Sequence, residues 1–263
     1  MAGDTRSFKL GKSVTVTAPD DVTDQVAAAV ARVLGGRQGR ARTSASGDRL
    51  SADRIVAVAV EQMREHGYDA VTMRSIAREL GTGPASLYAH VANRAELDQL
   101  VVGRVCSQWH LPDPEPDRWA EQLRTALVDL LELYRANPGV ARCTLGMIPL
   151  EPSLLMVTER LIALLKAGDV SDQHAAWFVD VSALYVASVA VEEDIWRERA
   201  AGGDPAAVSE EAVVGNVRKV FDKLPVEHFP WLHALAGTMT SGDADDRFGF
   251  GIDLLIGGLR SLR

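Results

Sequence analysis

The chain has 263 residues, of which 47% are hydrophobic and 24% charged, a composition typical of globular proteins that excludes fibrous and wholly disordered classes. The N-terminus lacks the apolar block of a signal peptide, and no apolar run reaches the roughly 18 residues of a membrane span, so we expect a cytoplasmic protein without a membrane partner. Cys106 and Cys143 have no histidine at metal-ligand spacing, so we expect no disulfide framework, metal or cofactor.

The charge is distributed unevenly along the chain, whose formal net charge is −8. Residues 1–36 carry four basic and four acidic groups, residues 37–104 carry ten and eight, and residues 105–263 carry 14 and 24. The three segments therefore have net charges of 0, +2 and −10. The overall charge argues against a nucleic-acid partner, but the segment 37–104 is basic enough to be compatible with one.

The first 47 residues are interpreted as an N-terminal extension. Alternation at Val14 and Val16 predicts a short strand within residues 8–18, and residues 20–34 predict an amphipathic helix. A segment rich in Gly, Ser and Thr follows, with four arginines: Arg37, Arg40, Arg42 and Arg49. This segment is either a solvated linker or an arm that enters the DNA minor groove, because narrow A·T-rich grooves attract arginine.

Helices account for the rest of the pattern. Ser51, Thr72 and Asn93 predict N-caps, Gly81 predicts a helix end, and Pro84 suits a first helical turn. The expected spans are 51–66, 72–80, 84–91, 94–109, 119–134, 140–147, 152–166, 172–199, 209–223 and 246–262. Residues 178–196 and 248–262 are apolar on most faces, so these segments must be buried on several sides. The sequence thus predicts an all-α fold with no strand after residue 18.

The segment Gly81-Thr82-Gly83-Pro84 allows two interpretations. A phosphate-binding loop requires a preceding strand and a lysine after the glycines, and both are missing from the predicted pattern. A helix-turn-helix requires two short helices joined by a turn that contains glycine, and it permits small residues at the start of the second helix. We therefore favour a bend between helices.

The second helix of this pair has one apolar face and one face of small or polar residues. Leu87 and Val91 are expected to face the core, whereas Ala85, Ser86, Ala89 and His90 face outwards with Tyr88 beside them. Small residues allow a helix to enter a major groove about 12 Å wide. Periodicity alone leaves a plain three-helix cluster equally compatible with this pattern.

An ordered set of motifs from Leu50 to Leu100 resembles the N-terminal domain of the tetracycline-repressor (TetR) family. The motifs are Ile55-x-x-x-Ala59, Gly67, Thr72-Met73-Arg74-Ser75-Ile76-Ala77, Leu80-Gly81, Ser86-Leu87-Tyr88-x-His90-Val91 and Asn93-Arg94-x-x-Leu97. The helical remainder is loosely similar to the ligand-binding and dimerisation domain of that family. The resemblance implies an N-terminal extension (1–47), a helix-turn-helix DNA-binding domain (48–104) and a helical effector-binding and dimerisation domain (105–263).

The resemblance also implies which residues contact double-stranded DNA. The residues expected at phosphates are Thr72, Ser86, Tyr88, His90 and Arg94, and those expected at bases are Arg74 with the first turn of the recognition helix, Thr82, Gly83, Pro84 and Ala85. Family members often have an aromatic residue where this chain has Ala89, and polar residues where it has residues 82–85. Direct readout should therefore depend on Arg74, Ser86, Thr82 and apolar contacts to thymine methyl groups.

The same resemblance implies a homodimer, joined through the apolar segments 178–196 and 248–262, that represses from a palindromic operator and is released by a small hydrophobic molecule. Expected lining residues of an effector cavity are Trp109, Met147, Leu150, Met156, Leu161, Trp177, Phe178, Val181 and Tyr185, with His110, Glu159 or Asp180 as orienting polar groups. The alternative is that these are ordinary core residues. The sequence contains no convincing match for the metal ligand of the family's tetracycline–magnesium site, so no metal is expected.

An enzyme is the main alternative class. Cys106 and His110 are spaced i to i+4 on one helix face, but no third group is placed to orient them. Glu192, Glu193 and Asp194 are neighbours on a helix, so their side chains diverge. We therefore expect no catalytic residues. A protein-interaction module that uses the helix-turn-helix without DNA is a further alternative.

Overall fold

The computed structural model describes residues 7–10, 14–17, 50–201 and 210–262. The helix predicted at 20–34 and the four arginines of the predicted arm lie outside these residues. Strands β1 (Ser7–Leu10) and β2 (Val14–Thr17) pair antiparallel, with Phe8 opposite Val16. The sequence predicted one strand in this extension, whereas the structure has two.

Helices make up the secondary structure that is described from residue 50 onwards, apart from one short 3₁₀ turn at Tyr68–Ala70, so the all-α prediction is confirmed for this part of the chain. Their bounds are α1 Ala52–His66, α2 Met73–Glu79, α3 Pro84–Leu87, α4 Arg94–Cys106, α5 Trp119–Ala136, α6 Val140–Thr144, α7 Pro152–Ala167, α8 Asp172–Ala201, α9 Glu210–Phe221, α10 Pro230–Met239 and α11 Ala244–Ser261.

Helices α3, α4 and α6 end at least three residues before their predicted ends, and α10 was not expected. Helix α3 ends at Leu87 because the amides of His90 and Val91 both donate to the Leu87 carbonyl, which closes a turn instead of extending the helix. Helix α4 ends at Cys106, and the amide of Trp109 donates to the Cys106 carbonyl in a tighter turn at 3.0 Å. Helix α10 was not predicted, because Trp231 and other apolar residues on its exposed face obscure the helical alternation.

Helix α4 connects the first three helices to the helices of the C-terminal part. It packs on α1 and α6 and also on α5 and α7. Leu97 and Val101, in its N-terminal half and middle, are fully buried. Burial of each such side chain contributes about 1.5–3 kcal/mol, so α4 is anchored firmly to the helices on both sides.

Helix α8 lies at the centre of the C-terminal part. An 18-residue window of α8 has a mean hydropathy of 1.5, enough by length and composition to cross a membrane, contrary to the sequence expectation. In the fold α8 packs against α5, α6, α7 and α11. Arg135 of α5 adds a polar connection, because its guanidinium lies 2.6 Å from Glu193 of α8 and 2.6 Å from Asp245 of α11. The apolar composition of α8 thus suits a helix that packs on several sides.

Candidate DNA interface and effector cavity

The start of α2 is fixed by a reciprocal capping arrangement. The Ser75 amide donates to the Thr72 hydroxyl at 3.0 Å, and the Thr72 amide donates to the Ser75 hydroxyl at 2.8 Å. The Ser75 hydroxyl also donates to Gln62 of α1 at 2.8 Å, and the Gln62 amide group donates back to the Ser75 carbonyl at 3.2 Å. These bonds set the orientation of α2 relative to α1.

The segment 81–84 forms a bend between α2 and α3, as the sequence predicted. Gly81 has a positive φ of 64°, a conformation that glycine adopts without strain. The Thr82 amide donates to the Ala77 carbonyl at 2.9 Å, which closes the end of α2, and Pro84 occupies the first turn of α3. A helix rather than a strand precedes the glycines, so this is not the geometry of a nucleotide-binding loop.

The residues predicted to contact DNA lie mainly on the surface. Leu87 and Val91 are fully buried together with Ile76, so α3 is held by its apolar face. Thr82 is half-buried, and the exposed residues are Thr72, Arg74, Gly83, Pro84, Ala85, Ser86, Tyr88, Ala89 and His90. These side chains are accessible to a large polymer such as DNA.

Arg94 is placed differently from the other predicted phosphate contacts. Its Nε donates to Asp98 at 2.7 Å, its Nη1 donates to the Val71 carbonyl, and its guanidinium carbon lies 4.2 Å from the centre of the Tyr68 ring. Its Nη2 is buried and has no hydrogen-bond partner in the part of the chain that the structure describes. Burial lowers the pKa of Arg94, but the hydrogen bond and charge of Asp98 outweigh this effect and raise it. Arg94 therefore helps to fix the start of α4 through these contacts, and its phosphate contact stays a prediction.

Asp98 and Tyr68 complete this arrangement, and the sequence analysis did not identify either residue as functional. The Tyr68 hydroxyl donates to Asp98 at 3.1 Å, so the Asp98 carboxylate binds both Arg94 and Tyr68 while it is itself buried. Arg142 of α6 lies 3.2 Å from Asp69 and 5.7 Å from the Tyr68 ring. The connection between α1 and α2 is thereby tied to both α4 and α6.

A cavity of about 280 Å³ lies between α4, α5, α7 and α8. Its wall is largely apolar, and the residues that line it are Val102, Cys106, Trp109, Leu127, Leu130, Tyr134, Thr144, Met147, Pro149, Leu154, Val157, Thr158, Leu161, Ala176, Val179, Asp180, Ser182, Ala183 and Leu184. A mostly apolar cleft with a few polar groups is the usual form of a small-molecule site. The lining residues follow the same apolar helical pattern as core residues, so most of them could not be distinguished from core residues by sequence.

Four of the expected lining residues and polar groups lie in the cavity wall, namely Trp109, Met147, Leu161 and Asp180. The other expected residues are not among those that line this cavity, and for them ligand contact stays a prediction; they are Leu150, Met156, Phe178, Tyr185, His110, Glu159, Trp177 and Val181. Phe178 is buried in the core, and Tyr185 stacks on Phe248 at 5.6 Å between ring centres. Trp177 and Val181 are exposed on α8, because the helix turns these positions away from the cavity.

The pair considered for catalysis is not arranged as an activated nucleophile. Cys106 is buried, whereas His110 is exposed. Burial raises the pKa of the Cys106 thiol to about 12, and a hydrogen bond with Tyr134 lowers it only in part. A thiol with this pKa is almost entirely protonated at neutral pH, and the thiolate is the nucleophilic form.

Comparison with known families matches almost the whole helical part of the chain. Residues 55–98 match the family described as bacterial regulatory proteins, tetR family. Residues 111–263 match the family described as tetracyclin repressor-like, C-terminal domain. The first match ends within α4 and the second begins just after it, so α4 lies at the boundary between the two matches.

Individual proteins of known sequence or structure are also similar to this chain. The transcriptional repressor DrrR1 of Streptomyces coeruleorubidus is 28% identical over 251 residues, which cover 86% of this chain and 91% of that protein. The structure of ActR from Streptomyces coelicolor with (S)-DNPA is 36% identical, with a TM-score of 0.71 over 81% of this chain and 98% of that one. The structure of ActR with actinorhodin is 37% identical, with a TM-score of 0.71 over 81% and 96% of the two chains.

Proposed function

We propose that this chain, which belongs to the TetR family of bacterial regulatory proteins, is a cytoplasmic homodimeric repressor that leaves a palindromic operator when a small molecule enters the cavity. One observation carries this proposal. Helix α4 begins beside the helix-turn-helix, and its Val102 and Cys106 line the cavity near its other end. We place the boundary between the DNA-binding domain (48–104) and the effector domain (105–263) near the end of this helix.

The mechanism requires that ligand and DNA favour different positions of α4. ActR, a relative with a similar fold, has been crystallised with two small molecules, and this supports a small-molecule effector for this chain. If a ligand in the cavity shifts α4, the two recognition helices of the dimer no longer match major grooves about 34 Å apart. By linkage, ligand and operator then weaken each other's binding by the same factor.

The test of this function is a gel-shift titration with the DNA that flanks the gene for this protein, carried out at several salt concentrations. We expect saturable binding to a palindromic site with an affinity that falls steeply with salt, because neutralised phosphates release counterions. No binding at any salt concentration would refute the proposed function.

Arg74 is our first choice for a base contact. It is exposed on α2, and its guanidinium makes no hydrogen bond or ion pair within the described residues. We expect Arg74→Ala to weaken operator binding by about 1–3 kcal/mol and to relax the preference at one base pair. Arg78→Ala removes the same charge from the same helix at a position we interpret as solvated, and it is the matched control. Equal losses for both variants on all DNA sequences would show a purely electrostatic contribution.

The dimer surface is assigned to the exposed apolar faces of α8 and α11. On α11, Phe250 is 66% exposed and Leu254, one turn later, is 59% exposed. On α8, Trp177 is 62% exposed, followed one turn later by the exposed Val181. At Gly257 and Gly258 a Cβ atom would meet nothing within 4 Å, so the surface there is open to close approach of a second helix. An isologous interface places each such residue in two copies.

Leu254→Asp tests this assignment. Because two unpaired carboxylates would be buried in the dimer, we expect dimerisation to weaken by at least ~100-fold, with loss of palindrome binding at low protein concentration. Light scattering after gel filtration measures the mass. Ile148→Asp introduces the same charge at an exposed residue outside α8 and α11 and should leave the dimer intact. A dimeric Leu254→Asp variant would contradict the interface.

A further inference from the structure

The Trp109 indole is a hydrogen-bond donor without an acceptor among the described residues. Its Nε1 is buried and has no hydrogen-bond partner within residues 50–201 and 210–262, while its ring forms part of the cavity wall. A buried donor without a partner is unfavourable, and most buried indole N–H groups are paired. An acceptor atom of a molecule in the cavity, reached by a rotation of the ring, would satisfy this donor.

The electrostatics of the cavity wall narrow the class of ligand further. Among the described residues that line the cavity, Asp180 is the only Asp, Glu, Lys or Arg. Its carboxylate makes no hydrogen bond or ion pair within the described part of the chain. Cys106 and Tyr134 are held in their neutral forms because burial raises both pKa values. The wall therefore offers apolar surface and one negative charge, which disfavours an anionic ligand.

We propose that the effectors of this protein are neutral or cationic, largely apolar molecules that carry a carbonyl or hydroxyl oxygen, and that Trp109 binds this oxygen through its indole N–H. The inference rests on the proposed function and specifies the ligand class of the same cavity. Trp109 is also well placed to transmit binding, because its amide donates to the carbonyl of Cys106, the last residue of α4, at 3.0 Å.

The first test uses 9-fluorenone and fluorene, two planar probes of similar shape of which only the ketone carries an acceptor oxygen. We expect the wild-type protein to bind fluorenone about five- to thirty-fold more tightly than fluorene in calorimetric titrations, because the ketone satisfies the buried donor. Trp109→Phe keeps an aromatic ring without the donor and should bind both probes equally. Trp231→Phe, at an exposed residue of α10, should keep the wild-type preference.

Equal binding of the two probes by the wild-type protein would overturn the role of Trp109, as would an unchanged preference in Trp109→Phe. This comparison does not depend on the folding of the variant, because the wild-type preference is decisive by itself. Failure of both probes to bind would overturn the proposed ligand class. Operator binding in the gel-shift titration is measured independently, so these failures are distinguishable from failure of the proposed function.

A second measurement tests the charge selection. We expect 9-fluorenone-2-carboxylate to bind at least several-fold more weakly than fluorenone, and Asp180→Asn to reduce this difference. The difference should also shrink as the salt concentration rises, because Asp180 is exposed to solvent. Tighter binding of the carboxylate than of the ketone would contradict the ligand class.

Discussion

Replacement of Arg94 by alanine is expected to lower the free energy of unfolding by about 2–3 kcal/mol, because the Asp98 carboxylate would stay buried without the cation that it pairs with. In a chain of this size that loss corresponds to a decrease of roughly 5–10 °C in Tm. Differential scanning calorimetry measures it directly. The effect would be structural, because the guanidinium is held by Asp98, Val71 and Tyr68.

A double-mutant cycle separates this role from a phosphate contact. Asp98→Asn in the Arg94→Ala background removes the unpaired charge and should recover part of the lost stability. A pure phosphate contact would instead leave Tm unchanged and reduce the slope of log affinity against log salt by about one. An unchanged Tm together with a reduced salt slope in Arg94→Ala would overturn the positioning role and support the phosphate contact that the sequence predicts.

Asp194→Ala is the second variant for which we expect a large effect. Asp194 of α8 is buried, and its carboxylate accepts a hydrogen bond from the Gly139 amide at 2.7 Å. Gly139 lies against the end of α1, because a Cβ atom there would be 3.3 Å from Met63 Cβ and 3.3 Å from the Tyr68 amide nitrogen. Loss of the acceptor leaves a buried amide unpaired, so we expect a loss of about 1–3 kcal/mol in unfolding free energy.

Hydrogen exchange gives a local measure of the same change. In Asp194→Ala, a peptide that covers residues 137–146 should exchange faster, because the turn between α5 and α6 is no longer bound to α8. Arg197→Ala removes the other partner of Asp194 but keeps the bond to Gly139, so it serves as the control. Unchanged exchange in Asp194→Ala would show that packing alone holds the turn.

Several features of this protein follow from local sequence. Thr72 and Asn93 accept hydrogen bonds from backbone amides at the starts of α2 and α4, and Gly81 ends α2. Capping and positive-φ preferences depend on a few neighbouring residues, so they are readable without a fold. The order of these signals was sufficient to predict the all-α class and the bend between α2 and α3, and the resemblance to the TetR family was needed to predict the helix-turn-helix DNA-binding domain.

The tertiary structure decided which side chains meet across helices. Glu192, Glu193 and Asp194 are adjacent in sequence, but Glu193 binds Arg135 and Asp194 binds Gly139, partners that are 58 and 55 residues away. A sequence alone does not specify such pairings, because they depend on how the helices pack. For the same reason the sequence did not reveal that Arg94 pairs with Asp98. It also did not reveal that apolar residues of α4 and α8 line a cavity instead of filling the core. Local sequence thus determined where the helices begin and end, and only their packing determined which residues form the cavity and its connection to the helix-turn-helix.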